Sequence, residues 1–161
     1  MHSEVILLLL VFLVDPAVLA DIPTGCVSIK SPLINRYLTK STKYDKKRRH
    51  ISWGYTDHEY DKWMITPDGP NYRIKHAELQ EELYESEIAY NGNYVFTWIP
   101  KDNLSGDHER WKITMTKDGY FLIKNVQFNH CLYMIGTTGW LSAYDGCDTM
   151  HYKWIITKID C

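Results

Sequence analysis

The sequence has no long apolar run beyond its first 20 residues, no large surplus of either charge, with 20 acidic and 18 basic residues, and no odd cysteine. Its one extended apolar run, residues 5–14, is half the length of about 20 residues that a membrane-spanning helix needs, so we expect no membrane span. Without residues 1–20, 18 acidic residues face 18 basic ones. A neutral chain of this kind is not expected to bind nucleic acid. With 45% apolar and 24% charged residues, the composition also excludes a disordered chain.

Complete catalytic motifs are missing as well. The sequence contains neither a nucleophile-elbow serine nor a glycine-rich phosphate loop. The pairs His58-Glu59 and His108-Glu109 lack the second histidine that a zinc-binding helix motif requires. We therefore predict that the protein is not an enzyme and that it uses no metal and no cofactor.

The apolar run at the N-terminus is typical of a secretory signal. The small residues of Val18-Leu19-Ala20 predict cleavage before Asp21. We expect a signal peptide over residues 1–20 and a single secreted, extracellular domain over residues 21–161. Asn103 begins an Asn-Leu-Ser sequon, which predicts glycosylation in a polar loop.

Four cysteines, an even number, follow the predicted signal. In a secreted chain such a set indicates two disulfides. Three pairings are possible for the four thiols, which are Cys26, Cys131, Cys147 and Cys161.

Self-similarity is the strongest pattern in this aromatic-rich chain, which has six Trp, twelve Tyr and four Phe. A Trp-x-Ile-Thr element occurs three times, starting at Trp63, Trp111 and Trp154. A second element, Ile-Lys with a Leu nine residues after the Ile, also occurs three times. Its copies are Ile29 with Leu38, Ile74 with Leu83, and Ile123 with Leu132, at spacings of 45 and 49 residues.

These elements predict strands, because bulky residues alternate around them with the period of a half-buried strand. Asp68-Gly69 and Asp118-Gly119 join two copies of the elements with a dipeptide typical of tight hairpin turns. The segment Ala77–Ile88 has Leu79 and Leu83 four residues apart, which alone favours a helix. The register of the repeat places Leu83 in a strand, and we follow the repeat.

The order of the elements is circular. The third Trp-x-Ile element lies near the C-terminus, whereas the first Ile-Lys element lies near the start of the mature part and has no Trp-x-Ile element before it. This arrangement resembles the β-trefoil, an all-β fold with pseudo-threefold symmetry and about twelve strands around a closed barrel. The resemblance places the nine Trp and Ile anchors of the repeat in the core. It also brings the chain ends together, which implies the disulfides Cys26–Cys161 and Cys131–Cys147.

The triplicate Trp elements resemble those of ricin-B-type lectins. The whole mature chain is similar to the cysteine- and tryptophan-rich salivary proteins of blood-feeding mosquitoes, a resemblance that implies a salivary β-trefoil and carbohydrate binding. The chain departs from the lectin pattern, because no Gln precedes its Trp anchors in the lectin position. The lectin aspartate corresponds here to Thr39, Tyr84 and Tyr133. Any sugar binding must therefore use other chemistry.

An aromatic platform beside a carboxylate or amide is the usual sugar site. The third unit offers the best candidate, which consists of Tyr133, Trp140, Tyr144, Asp145 and His151. The first unit offers Trp53, Asp57, His58 and Tyr60, and the second offers Tyr84, Trp98, Asp107 and His108. The alternative is that these rings only fill the core and the hairpin cap.

A basic segment lies between Leu38 and Ile51, where we expect a hairpin loop. Such a cluster can attract sulfated glycosaminoglycan or anionic phospholipid, although a solvated loop would have the same composition. Its cations are Lys40, Lys43, Lys46, Lys47, Arg48 and Arg49.

Together these patterns predict a secreted, monomeric binding protein that recognises host glycan or glycosaminoglycan and so modulates host haemostasis or immunity. The alternative is a protein-binding trefoil that inhibits a protease or a cytokine–receptor interaction. The long polar segments Lys40–His50 and Pro100–Glu109 are its candidate contact loops.

Overall fold

The computed structural model describes residues 21–104, 106–136 and 139–161. The predicted signal peptide lies outside the described residues and stays a prediction. The described chain forms twelve strands and one short 3-10 helix, η1, with these bounds: β1 Gly25–Ser31, β2 Arg36–Tyr44, β3 Arg48–Trp53, β4 Trp63–Asp68, β5 Asn71–His76, β6 Glu82–Tyr90, β7 Asn93–Trp98, β8 Trp111–Met115, β9 Phe121–Asn125, β10 Cys131–Tyr133, β11 Ser142–Tyr144, η1 Met150–Tyr152 and β12 Ile155–Lys158. No helix in these ranges has the length and apolarity needed to cross a bilayer.

Six of the strands pair in a closed antiparallel ring. β1 pairs with β4 and β12, β5 pairs with β4 and β8, and β9 pairs with β8. The ring closes where Phe121 and Trp154 exchange two backbone hydrogen bonds of 2.8 and 2.9 Å. Closure matters because it pairs the strand edges that an open sheet would expose.

The other six strands form three hairpins, β2–β3, β6–β7 and β10–β11. Each unit of the repeat therefore has four consecutive strands, of which the outer two belong to the ring and the inner two form the hairpin. The hairpins of the first two units are joined where Arg48 of β3 pairs with Trp98 of β7. The predicted all-β architecture with an internal threefold repeat is confirmed.

The repeated Trp and Ile anchors form the core, as the sequence predicts. All nine are buried: Ile29, Trp63, Ile65, Ile74, Trp111, Ile113, Ile123, Trp154 and Ile156. The three Trp indoles make equivalent hydrogen bonds, since each Nε1 donates to the carbonyl of the repeated Leu in its own unit. The distances are 3.2 Å from Trp63 to Leu38, 3.0 Å from Trp111 to Leu83 and 3.2 Å from Trp154 to Leu132. A buried indole needs such an acceptor, because an unpaired N–H is costly in an apolar core.

The turns and strands fall where the repeat places them. Gly69, between β4 and β5, has φ of 60°, and Gly119, between β8 and β9, has φ of 86°. Both values lie in the left-handed region that glycine tolerates best. The segment that could have been a helix begins with a turn at residues 77–79 and continues as β6, with Leu83 opposite Thr97 of β7.

Both predicted disulfides are present. Cys26–Cys161 ties β1 to the C-terminus with a Cα–Cα distance of 5.4 Å, and Cys131–Cys147 spans the third hairpin with 5.6 Å. The first bond lies beside the β1–β12 pairing of the ring and ties β1 to the C-terminal segment.

Candidate functional site

The basic segment of the first unit lies in a hairpin, as expected, but its loop is shorter than the polar segment suggests. β2 continues to Tyr44 and β3 begins at Arg48, so only residues 45–47 form the turn. The Asp45 carboxylate fixes this turn by accepting hydrogen bonds from the backbone N–H groups of Lys47, at 2.8 Å, and Arg48, at 2.6 Å. Burial opposes ionisation of Asp45, but these hydrogen bonds hold its pKa below the ordinary value.

Three of the six predicted cations are already paired within the protein. Arg48 contacts Asp45 at 2.9 Å and lies over the Tyr90 ring. Arg49 contacts the buried carboxylate of Glu81 at 3.0 Å. Lys40 pairs with Glu78.

The other three cations are exposed and make no ion pair among the described residues. They are Lys43, Lys46 and Lys47. Only these three cations are fully available to an external anion, because the paired ones would first have to give up a contact inside the protein.

A cavity of about 690 Å³ opens between this turn and the second unit. We call it the basic groove. Its walls are Asp45, Lys46, Lys47, Arg48, Tyr84, Ser86, Glu87, Ile88, Trp98, Leu104 and His108. The groove therefore joins two features that are far apart in the sequence, the basic turn of the first unit and the aromatic cluster of the second.

Aromatic side chains form the wall of the groove opposite the basic turn. Tyr84 and Trp98 pack edge to face with ring centroids 5.5 Å apart, and Trp98 Nε1 donates a hydrogen bond to Asp102. Burial raises the pKa of the Tyr84 phenol well above its usual range, so the ring is neutral. His108 Nδ1 lies 2.9 Å from the Glu85 carbonyl oxygen, to which it donates, and this contact fixes the imidazole.

Three of the four residues predicted for the second-unit cluster thus line one groove. The fourth, Asp107, does not, because its carboxylate contacts Arg110 at 2.8 Å. The groove also contains four residues that were not among the predicted ones, which are Ser86, Glu87, Ile88 and Leu104. Leu104 belongs to the irregular segment between β7 and β8, which no periodic pattern could have placed against the groove.

The third-unit cluster is only partly assembled. Tyr133 packs edge to face with Tyr144 and stacks on His151, each with ring centroids 5.1 Å apart. Trp140 lies elsewhere, and the prediction that it joins this cluster is wrong. Its ring stacks at 3.8 Å on His50 of the first unit, because a large flat ring between two hairpins gains more contact there than on the surface.

Two further contacts complete the description of the third-unit cluster, whose role as a sugar site stays a prediction. Tyr152, which was not among the predicted residues, packs on Tyr133 with ring centroids 4.8 Å apart. Asp145 contributes its backbone carbonyl, which accepts the Tyr152 hydroxyl hydrogen bond. Its side chain is exposed. The ring positions in this unit are thus set mainly by contacts with one another.

The first-unit cluster is dispersed. Trp53 is buried and stacks on Trp154 with ring centroids 6.1 Å apart, so it belongs to the core. Tyr60 instead contacts Tyr37, at 5.5 Å.

Asn103 of the predicted glycosylation sequon is exposed. Ser105, the third residue of the sequon, lies outside the described residues, so glycosylation stays a prediction.

The fold and its grooves define an all-β, disulfide-linked protein made of three repeated units. A Culex quinquefasciatus salivary protein of the Cysteine and Tryptophan-Rich (CWRC) family is 46% identical, with a TM-score of 0.80 over 87% of this chain and 97% of that one. The present chain belongs to this CWRC family of salivary proteins.

A second Culex quinquefasciatus salivary protein of the family is 25% identical, with a TM-score of 0.70 over 86% of this chain and 96% of that one. A lectin from Polyporus squamosus is 19% identical, with a TM-score of 0.66 over 85% of this chain and 50% of that one, and shares the fold. No family model matches the sequence, and no curated protein sequence gives a significant match.

Proposed function

We propose that this chain is a secreted, salivary β-trefoil protein that binds anionic host glycans of the glycosaminoglycan type in the basic groove. It acts by occupying or sequestering the glycan, without turnover, and so modulates host haemostasis or immunity. The observation that carries the proposal is the placement of Lys46 and Lys47 in the same groove as Tyr84 and Trp98.

The trefoil assignment has support from the strand order. Four strands per unit, a closed ring of outer strands and three inner hairpins match the arrangement that this fold requires. The likeness to the Polyporus squamosus lectin supports the fold and does not identify a ligand.

The chemistry of the groove suits a sulfated or carboxylated sugar. Aromatic rings pack against the apolar face of a pyranose, and lysine ammonium groups attract the anionic substituents. In the second unit, the buried Tyr84 stands at the position of the lectin aspartate. The aromatic rings and lysine ammonium groups of the groove would take over the role of that aspartate in binding sugar.

The test is elution of the mature, oxidised protein from immobilised heparin as salt is raised, beside the variant Lys46→Ser/Lys47→Ser. Two charge contacts in water contribute about 1 kcal/mol each, so we expect roughly 30-fold weaker binding and elution at lower salt. Arg48 and Arg49 are left unchanged, because their pairing with Asp45 and Glu81 contributes to the fold.

The matched control is Lys112→Ser/Lys117→Ser, which removes the same charge from exposed lysines outside the groove. Equal losses in both double variants would mean that net charge, and not the groove, retains the protein. No retention of the native protein would refute glycosaminoglycan binding.

The second candidate function is inhibition of a protease or a cytokine–receptor interaction by a protein-binding surface. One of its two predicted contact loops, Lys40–His50, is a hairpin, but the described residues of Pro100–Glu109 form no strand. Tyr55, in another exposed segment, is 89% accessible to solvent. Inhibition of a trypsin-like enzyme by a protein that heparin does not retain would favour this function.

A further inference from the structure

A second cavity, of about 240 Å³, lies between the second and third units. Ser86 and Glu87 border both this cavity and the basic groove. We call it the acidic pocket. Its walls are Glu85, Ser86, Glu87, Tyr94, Phe128, His130, Ala143 and Tyr144.

Glu85 is an unusual residue in this pocket. Its side chain is 4% exposed, and its Oε1 atom lies 2.6 Å from His130 Nδ1. The other carboxylate oxygen, Oε2, is buried without a hydrogen-bond partner among the described residues. Burial raises the pKa of Glu85, while the His130 contact opposes that rise. A buried carboxylate oxygen without a donor is costly, so a ligand that supplies a positively charged N–H group gains by approaching it.

Two carboxylates and no lysine or arginine are among the pocket walls. Glu87, the second carboxylate, is 69% exposed and lies 3.8 Å from His108 Nε2. The histidine among the walls, His130, is the partner of Glu85. This contrasts with the basic groove on the neighbouring unit boundary. The pocket therefore selects against anions, including the glycan proposed above.

The remaining walls are aromatic or apolar. Phe128 stacks on His130 with ring centroids 6.0 Å apart, and it also packs edge to face with His108. Tyr94 and Tyr144 are each nearly half exposed at the pocket. Aromatic faces beside carboxylates attract organic cations through the ring quadrupole.

We propose that the acidic pocket binds a small primary or secondary ammonium ion with an aromatic or apolar body. The ammonium group pairs with Glu85 and Glu87, and the body packs against Phe128, Tyr94 and Tyr144. A quaternary ammonium ion would bind more weakly, because it has no N–H to donate to Glu85. The site adjoins the basic groove at Ser86 and Glu87, but the proposal does not depend on glycan binding.

The test is calorimetric titration of the mature, oxidised protein with phenethylammonium near neutral pH. The matched control ligand is 2-phenylethanol, which has the same ring and chain and a hydroxyl in place of the ammonium group. Since hydrogen bonds to charged groups contribute more than neutral ones, we expect the alcohol to bind at least about tenfold more weakly. Equal binding of the two ligands would overturn the proposal, as would no saturable binding of phenethylammonium at millimolar concentration.

The matched variants are Glu85→Gln in the pocket and Glu78→Gln outside it. Glu78 is exposed and pairs with Lys40, so its loss should leave amine affinity unchanged. We expect Glu85→Gln to weaken phenethylammonium binding at least about tenfold. Full affinity in the folded Glu85→Gln protein would overturn the proposal.

Two more variants separate loss of amine binding from two other effects, which are misfolding of the protein and loss of glycan binding. Tyr144→Leu changes a nearly half-exposed ring and should weaken amine binding several-fold, with an unchanged circular dichroism spectrum. Lys46→Ser/Lys47→Ser should bind phenethylammonium like the native protein, so failure of glycan binding and failure of amine binding are separate outcomes. An unaltered affinity of Tyr144→Leu would contradict the assigned aromatic wall.

Discussion

Three buried tryptophans hold equivalent positions in the three units, and each indole N–H donates to the carbonyl of an equivalent leucine. The same equivalence extends to the backbone between the first two strands of each unit. Asn35, Gln80 and Asn129 have φ of 56°, 57° and 61°. Asparagine often adopts this left-handed conformation, whereas glutamine does so less readily. The sequence predicts the tryptophan anchors, but the turn position becomes evident only when the three backbones are compared.

The residue-scale prediction concerns Trp111→Phe. Phenylalanine would leave a cavity in the core and the Leu83 carbonyl without its donor, so we expect a loss of about 3 kcal/mol in the free energy of unfolding. Trp98→Phe is the control, because Trp98 is half-buried and its indole donates to an exposed Asp102. Its expected cost is about 1 kcal/mol or less. Urea unfolding of both variants checks the difference, and equal costs would contradict the role given to the buried indole.

At the scale of elements, the basic hairpin shows that a polar composition alone does not predict the length of a loop. The segment Lys40–His50, polar except for Tyr44, suggested a long loop, yet β2 and β3 extend through most of it. Arg49 of β3 can lie there because Glu81 compensates its charge and the Tyr44 ring covers its guanidinium at 4.6 Å. Strand pairing with such tertiary partners overrides a local preference for turns.

The element-scale prediction compares the two disulfides, which close segments of very different length. The Cys26–Cys161 pair is 135 positions apart and the Cys131–Cys147 pair 16. Loop-closure entropy predicts that Cys26→Ser/Cys161→Ser costs about 5 kcal/mol and Cys131→Ser/Cys147→Ser about 3 kcal/mol. Chemical denaturation of the two double variants measures both values. A larger loss from the short-range pair would show that local packing of the third hairpin outweighs chain entropy.

At the scale of the whole molecule, His50 connects all three units. Its ring is fully buried, stacks on Trp140 of the third unit at 3.8 Å, and lies 5.0 Å from Tyr90 of the second. Neither ring nitrogen has a hydrogen-bond partner among the described residues. The pKa of His50 is lowered from 6.5 to about 4, mainly by burial; the Asp45 carboxylate opposes this shift, and the charges of Lys43 and Arg48 add to it.

This shift predicts a pH-dependent stability. Between pH 6.5 and about 4 the unfolded chain binds a proton on His50 that the folded protein excludes. The free energy of unfolding is therefore fully retained above pH 6.5 and falls as the pH drops, by up to about 3 kcal/mol in total. His50→Phe keeps a flat ring against Trp140 and removes the group whose protonation causes this pH dependence. Thermal unfolding across that range should show a smaller decrease for the variant, and parallel curves would refute the role of His50.

The sequence by itself determined the repeat, the strands and the core anchors of this CWRC-family protein, whereas the disulfide pairing followed from the resemblance to the β-trefoil. The repeat, strands and anchors follow from patterns that recur within each unit, because strand alternation and turn residues act between near neighbours. Only the tertiary structure decided which side chains meet across unit boundaries. Lys46 meets Tyr84 in one groove, Glu85 meets His130 from 45 positions away in another, and Trp140 packs on His50. Such contacts depend on how the three hairpins pack against one another around the ring. No local pattern in a single sequence predicts that packing.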